Sequence, residues 1–201
     1  MIKSLLVLII LLSNISFSQD AMYEICPIKN SSEVPSALLW NVDGKKIDIK
    51  DIVTDKPTIL VFYRGGWCPY CMRHLSALAE VKKEIDSLGF SIVGITPDDY
   101  TNLDSSITRS KNFDYTLLSD KEANAMKAFG IDWQVDSKLY EKYKNKYNLD
   151  LEWWSNSKHH LLPVPSVFIV KNGKIQLQHV DPKYSQRLSP KLLLAMIMSL
   201  E

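Results

Sequence analysis

Residues 62–71 read "FYRGGWCPYC", and Met72-Arg73-His74 follow. Two cysteines, Cys68 and Cys71, stand three positions apart. Ahead of them "TILVFYR" (Thr58 to Arg64) is an unbroken apolar, β-branched and aromatic run, the pattern of a strand buried on both faces. Behind them Cys71 to Leu88 carries Leu75, Leu78, Ala79, Val81 and Ile85 in a rough helical stripe, and Gly89 marks its end. The pair therefore falls where a strand gives way to a helix. Free N–H groups and positive dipole potential at a helix N-terminus favour a thiolate. That position predicts a lowered pKa for Cys68, with Cys71 one turn later and able to close a disulfide with it. Pro69 suits a first helical turn, where no N–H is needed. A C-x-x-C beside a βαβ pattern is a redox signature.

Further upstream, Val34 to Asp55 reads as a short β-hairpin turning at Asp43-Gly44. Downstream, "FSIVGIT" (Phe90 to Thr96) and "YTLLS" (Tyr115 to Ser119) are strands, separated by a helix capped at Asp98 or Asp99 and reaching about Lys111. Asp120 caps a further helix that Gly130 ends. Residues 131–162 read as an insertion, with a helix around Asp136 to Tyr147. "VPSVFIV" and "KIQLQHV" then form a hairpin at Lys171-Asn172-Gly173, and Ser189-Pro190 opens a last helix. Strands alternating with helices give an α/β fold, and the closing hairpin makes its central sheet mixed. A proline at 165, opening a strand, is expected to be cis and to lie against the cysteines.

The chain has 201 residues, 46% of them apolar, which suits one globular domain with a substantial core. Its net charge is +1; removing Lys3, the one charge in residues 1–18, leaves 23 basic and 23 acidic residues. A neutral chain gives no electrostatic case for nucleic acid or an anionic membrane as partner. Lys3, the apolar run Leu5 to Leu12 and Ser16-Phe17-Ser18 have the pattern of a secretory signal peptide over residues 1–18. Ser13 and Asn14 cut that run short of the ~20 residues a spanning helix needs, so no stable membrane insertion is expected after cleavage. Export, to the periplasm or outside the cell, places residues 19–201 in an oxidising compartment where cysteine pairs form disulfides.

"GGWCPYC" after a buried strand, with "PVPSVFIVKNGK" downstream, resembles the thioredoxin superfamily. "LLSDKEANAMKAFGI" (Leu117 to Ile131), "HHLLPVPSVFIV" and "HVDPKYSQRLSP" are similar to the peroxiredoxin-like branch of the AhpC/TSA family over about residues 30 to 200. The resemblance implies a thioredoxin-like α/β fold, helices flanking a mixed sheet, with an N-terminal hairpin and a helical insertion. It implies a thiol oxidoreductase with no cofactor, regenerated by an external thiol reductant such as a thioredoxin-type protein. Aligned on the family's active loop, Cys71 falls at the peroxide-attacking cysteine, Cys68 replaces a threonine and Arg64 a proline. The family's arginine falls near Pro165, which leaves the cysteine without that partner.

Two mechanisms remain open on the residues. Cys68 attacks a protein disulfide and Cys71 resolves it, or Cys71 attacks a peroxide and Cys68 condenses with the product. Trp67, Arg64, Tyr63, Pro165 and His160 are the candidates to line the site. The non-enzymatic alternative is a copper or zinc site made by Cys68, Cys71 and His159 or His160. Cys26 is the odd cysteine, Trp153 and Trp154 read as packing for the insertion, and His74 reads as a helix-surface residue.

Overall fold

A computed structural model describes residues 21–104 and 114–200. The leader over 1–18 and the stretch of expected helix from residue 105 to Lys111 lie outside the described residues. Among the described residues there are nine strands: β1 (Leu38–Trp40), β2 (Lys46–Asp48), β3 (Thr58–Phe62), β4 (Ser91–Thr96), β5 (Thr116–Ser119), β6 (Asp132–Gln134), β7 (Leu161–Pro163), β8 (Ser166–Lys171) and β9 (Lys174–Val180). Seven of them form one sheet in the order β2-β1-β5-β4-β3-β8-β9. β3, β4 and β5 run parallel, while β1, β8 and β9 pair antiparallel with their neighbours, so the sheet is mixed as expected.

The run at β3 is buried along its whole length. Its side chains alternate between two cores, with Leu60 and Phe62 on one face and Ile59, Val61 and Tyr63 on the other. The first face is covered by α1 (Ile49–Asp55) and α4 (Asn124–Ala128). The second is covered by α2 (Pro69–Glu80), α3 (Lys82–Ser87) and α7 (Pro190–Met198). The insertion holds β6, β7, α5 (Ser137–Tyr147) and α6 (Leu151–Ser155) around its own core of Trp133, Val135, Tyr140, Leu151 and Leu162.

Three expectations change. The N-terminal hairpin ends at Asp48, because Asp48 caps a helix by accepting from the Lys50 N–H, and Ile49 and Val53 bury one face of it. The single helix expected over 71–88 is two, because the Val81 N–H closes on Leu78 O in a tight i→i−3 bond and Val81 leaves helical geometry. The Val164–Pro165 peptide is trans, since no cis bond occurs among the described residues. Extended backbone satisfies this stretch: the Val164 N–H bonds Ile131 O, Pro165 O accepts from the Asp181 N–H, and Ser166 pairs with Phe62. Pro165 still lies beside the end of β3 from which the cysteine loop leaves, because Ser166 is the partner of Phe62 there.

Candidate active site

The loop after β3 is folded by Gly65 and Gly66. Gly65 has φ +151°, and a Cβ there would lie 2.1 Å from Trp67 Nε1. Asp98, buried just past β4, accepts the Gly66 N–H at 2.7 Å and anchors the turn. The Gly65 carbonyl in turn accepts the Cys68 N–H at 3.1 Å. Cys68 caps α2 with extended backbone, Pro69 follows at the first helical position, and the Cys68 carbonyl accepts the Met72 N–H at 3.0 Å. Cys71 then falls one turn into the helix. Both cysteines are free of a disulfide and buried, at 1% and 0% exposure, in the same core as Tyr63, Met72 and Leu75.

Their order of acidity is the reverse of the expectation from position alone. Burial pushes the Cys71 thiol up, but the S–H of Cys68 and the charges of Arg187 and Arg64 outweigh it, and Cys71 is held below the ordinary thiol range. Cys68 is held well above it, because it gives its hydrogen bond to Cys71 and is itself buried. The two sulfurs titrate as one pair, and the nearby guanidiniums of Arg187 and Arg64 favour the first ionisation on Cys71. Arg187 Nη2 lies 3.3 Å from Cys71 Sγ. Its Nη1 donates to the carbonyls of Tyr184 and Gln186, which fix the guanidinium within its own loop. The alignment left Cys71 without an arginine near Pro165; the loop between β9 and α7 supplies one instead.

Arg64 is 4% exposed. Its guanidinium lies over Trp67 at 5.1 Å, Tyr143 at 5.7 Å and Tyr184 at 4.9 Å, and donates to Tyr143 Oη at 2.5 Å. Tyr143 belongs to α5, so this cage ties the insertion to the cysteine loop. A small cleft on the insertion side is lined by Arg64, Trp67, Asp98, Trp154, His159 and His160, among others. His160 bonds Glu152 Oε1 at 2.9 Å and stacks on Tyr140. Trp153 is exposed and Trp154 half-buried, with the Trp154 carbonyl accepting from Asp99 N–H.

The donor set does not fit a copper or zinc site. His159 Nδ1 accepts the Leu161 N–H and Nε2 donates to Lys121 O, so both ring nitrogens are engaged, and His160 is held by Glu152. Among the described residues no three His, Cys, Asp or Glu side chains gather as metal ligands. Cys26 is exposed, and its carbonyl abuts Gly130 beside the opposite core. His74 is not at the surface: it is 7% exposed and bonded through Nε2 to Leu188 O at 3.0 Å.

The model of the AhpC/TSA family matches residues 31–178. The "Putative peroxiredoxin bcp" of Haemophilus influenzae is 30% identical over 52% of this chain and just under two thirds, 66%, of its own. The "Thiol-disulfide oxidoreductase ResA" of Bacillus cereus is 24% identical over 57% of this chain and 62% of its own. Among solved structures, peroxidoxin BcpB of Mycobacterium tuberculosis superposes with a TM-score of 0.65, covering 87% of this chain and 99% of that one, at 19% identity. That last likeness establishes the fold.

Proposed function

The chain belongs to the AhpC/TSA family and has a peroxiredoxin fold, and on that premise we propose that it is a thiol-dependent oxidoreductase that reduces a peroxide at Cys71. The observation that carries this reading is the Cys71 sulfur itself, which accepts Arg187 Nη2 at 3.3 Å and lies in hydrogen-bonding reach of the Cys68 S–H. The Cys71 thiolate attacks the outer oxygen of ROOH and the O–O bond breaks. RO⁻ leaves as ROH after taking a proton from solvent, and Cys71 becomes a sulfenic acid. Cys68, one turn away, attacks the sulfenic sulfur. Its proton leaves with the hydroxyl as water, and a Cys68–Cys71 disulfide remains. Two thiols have given two electrons to one peroxide, and an external dithiol of the thioredoxin type restores them. We further propose that the leader in residues 1–18 carries the enzyme out of the cytoplasm, which N-terminal sequencing of the protein from its own cells tests.

Stopped-flow fluorescence of the reduced protein mixed with hydrogen peroxide tests the chemistry, with Trp67 beside the pair as reporter. Rapid saturable oxidation is expected, abolished in Cys71→Ser. Cys68→Ser should stop at a sulfenic acid that dimedone traps on Cys71. Oxidation no faster than a free thiol, alongside rapid reaction with a protein disulfide through Cys68, would overturn the peroxide reading in favour of disulfide exchange.

A further inference from the structure

His74 sits on α2 one turn beyond Cys71, on the face that α2 turns to the core with Leu75 and Leu78. A leucine would fill such a position without a polar group to satisfy. A buried imidazole is costly there unless it is hydrogen-bonded. Its bond goes to Leu188 O at 3.0 Å, 114 residues along the chain. A carbonyl only accepts, so Nε2 carries the hydrogen in this bond. Burial, then the nearby charge of Arg187, pushes the His74 pKa down to about 4, with His179 on β9 adding to the effect. The ring is therefore a neutral donor at any working pH.

What it holds is the residue next to Arg187. The loop before α7 gets its internal shape from Arg187 Nη1, which gathers the Tyr184 and Gln186 carbonyls. Those bonds set the shape of the loop but not its place relative to α2. Three kinds of contact supply the place: Tyr184 packs edge-to-face on Tyr70 of α2 at 5.7 Å and lies under Arg64, the Leu188 side chain is buried in the core, and His74 bonds the Leu188 carbonyl, the one of the three that reaches the backbone next to Arg187. Cys71 and His74 thus lie one turn apart on a rigid helix, and Arg187 and Leu188 are adjacent on the loop that meets them. The two pairs form a four-point register between nucleophile and guanidinium.

We propose that His74 is a positioning residue for Cys71: its ring N–H holds the Leu188 carbonyl and so seats Arg187 against the Cys71 sulfur. The proposal rests on Cys71 as the attacking thiolate, but its test reads ionisation of the thiol rather than turnover, so a chain that reduced no peroxide would still answer it. The rate of Cys71 alkylation by iodoacetamide is followed by mass spectrometry across pH in otherwise wild-type protein. His74→Leu should raise the titration midpoint by about one pH unit, cutting alkylation roughly tenfold at pH below both midpoints and less at neutral pH, the effect of moving an opposite charge away from a thiol. His74→Gln, whose amide N–H reaches where Nε2–H does, should restore most of the wild-type profile, and His74→Asn, too short to reach, should not. In an Arg187→Gln background His74→Leu should add nothing. Should His74→Leu not fold, the Gln and Asn variants decide the question by the same titration. A midpoint unmoved by His74→Leu or His74→Asn, or one raised equally with Arg187 already replaced, would overturn the proposal.

Discussion

Two arginines reach the cysteine loop, and they are held in opposite ways. Arg64 stands at the end of β3 inside three aromatic rings, almost wholly buried, with one hydrogen bond to Tyr143 and no partner for its Nε among the described residues. Arg187 comes from the loop before α7, is half-buried, and spends its donors on two carbonyls and the Cys71 sulfur. Ring faces stabilise a cation without fixing the direction of its N–H groups, whereas carbonyls and a thiolate fix each donor in turn. The difference separates two roles for the same group. The caged arginine joins the insertion to the catalytic loop, and the clamped one sets the charge state of the nucleophile.

The hardest test of that division is Arg187→Gln. An opposite charge beside a thiol lowers its pKa by about 1–3 units, so at pH below both midpoints the thiolate fraction of Cys71 should fall roughly 10- to 1,000-fold, and by less at neutral pH, and the rate with peroxide with it. Raising the pH should recover the rate, because the midpoint moves up and more thiolate forms. Stability should follow the same sign. A thiol whose folded pKa lies below its unfolded value adds stability that is fully present above the ordinary thiol pKa of 9.0 and is lost as pH falls through the folded one. The reduced wild-type protein should gain stability as pH rises through that window, and the variant should gain less. Thermal melts at several pH values check this, and parallel curves for the two proteins would dissolve the distinction between the arginines.

Arg64→Met should act chiefly on stability. It removes the cation from Trp67, Tyr143 and Tyr184 while keeping a similar volume, and it also removes an Nε that has no partner among the described residues. The net loss should be about 2 kcal/mol, a desolvated cation–π contribution, or a melting temperature lower by about 4–8 °C in a domain of this size. The Cys71 midpoint should rise less than in Arg187→Gln, because Arg64 is the weaker of the two charges acting on that sulfur. Equal shifts from both substitutions would mean that the cage does not insulate its charge.

The same contrast explains what the sequence discloses. β3, the Lys171-Asn172-Gly173 hairpin and the Ser189-Pro190 cap are local: each is written in a run of neighbours and a turn residue, and each stands where expected. The cysteine pair is equally local, and so is its place at the start of a helix. The acidity order is not. Reading Cys68 as the acidic thiol used only the helix terminus, whereas the deciding contact joins Cys71 to a residue 116 positions later. The burial of His74 is equally invisible locally, since its partner lies 114 positions away. One signal was available: only four of the 24 basic residues are arginines, at 64, 73, 109 and 187, and two of those reach the cysteine loop. A fork-shaped donor used so sparingly marks places where direction matters and a lysine would not serve. The trans peptide before Pro165 had no local signal at all, because bonds from Ile131 and Asp181 hold that stretch extended.

Tyr143→Phe is the finest of these tests. It leaves the ring beside Arg64 and removes only the hydroxyl that accepts from Nη2. Burial pushes the Tyr143 phenol up against the opposing pull of Arg64, so the hydroxyl is neutral at working pH and the bond is cation to dipole, not an ion pair. Its loss should lower stability by about 1 kcal/mol, seen as a melting temperature lower by about 2–4 °C. The ring contacts remain, so the Cys71 titration should stay at its wild-type midpoint. Amide exchange along α5 should quicken, because the hydroxyl is a polar tie from that helix to the loop after β3. Unchanged exchange in α5 would mean that the rings alone hold the insertion in place, and a shifted Cys71 midpoint would mean that the cage and the clamp act on the nucleophile together.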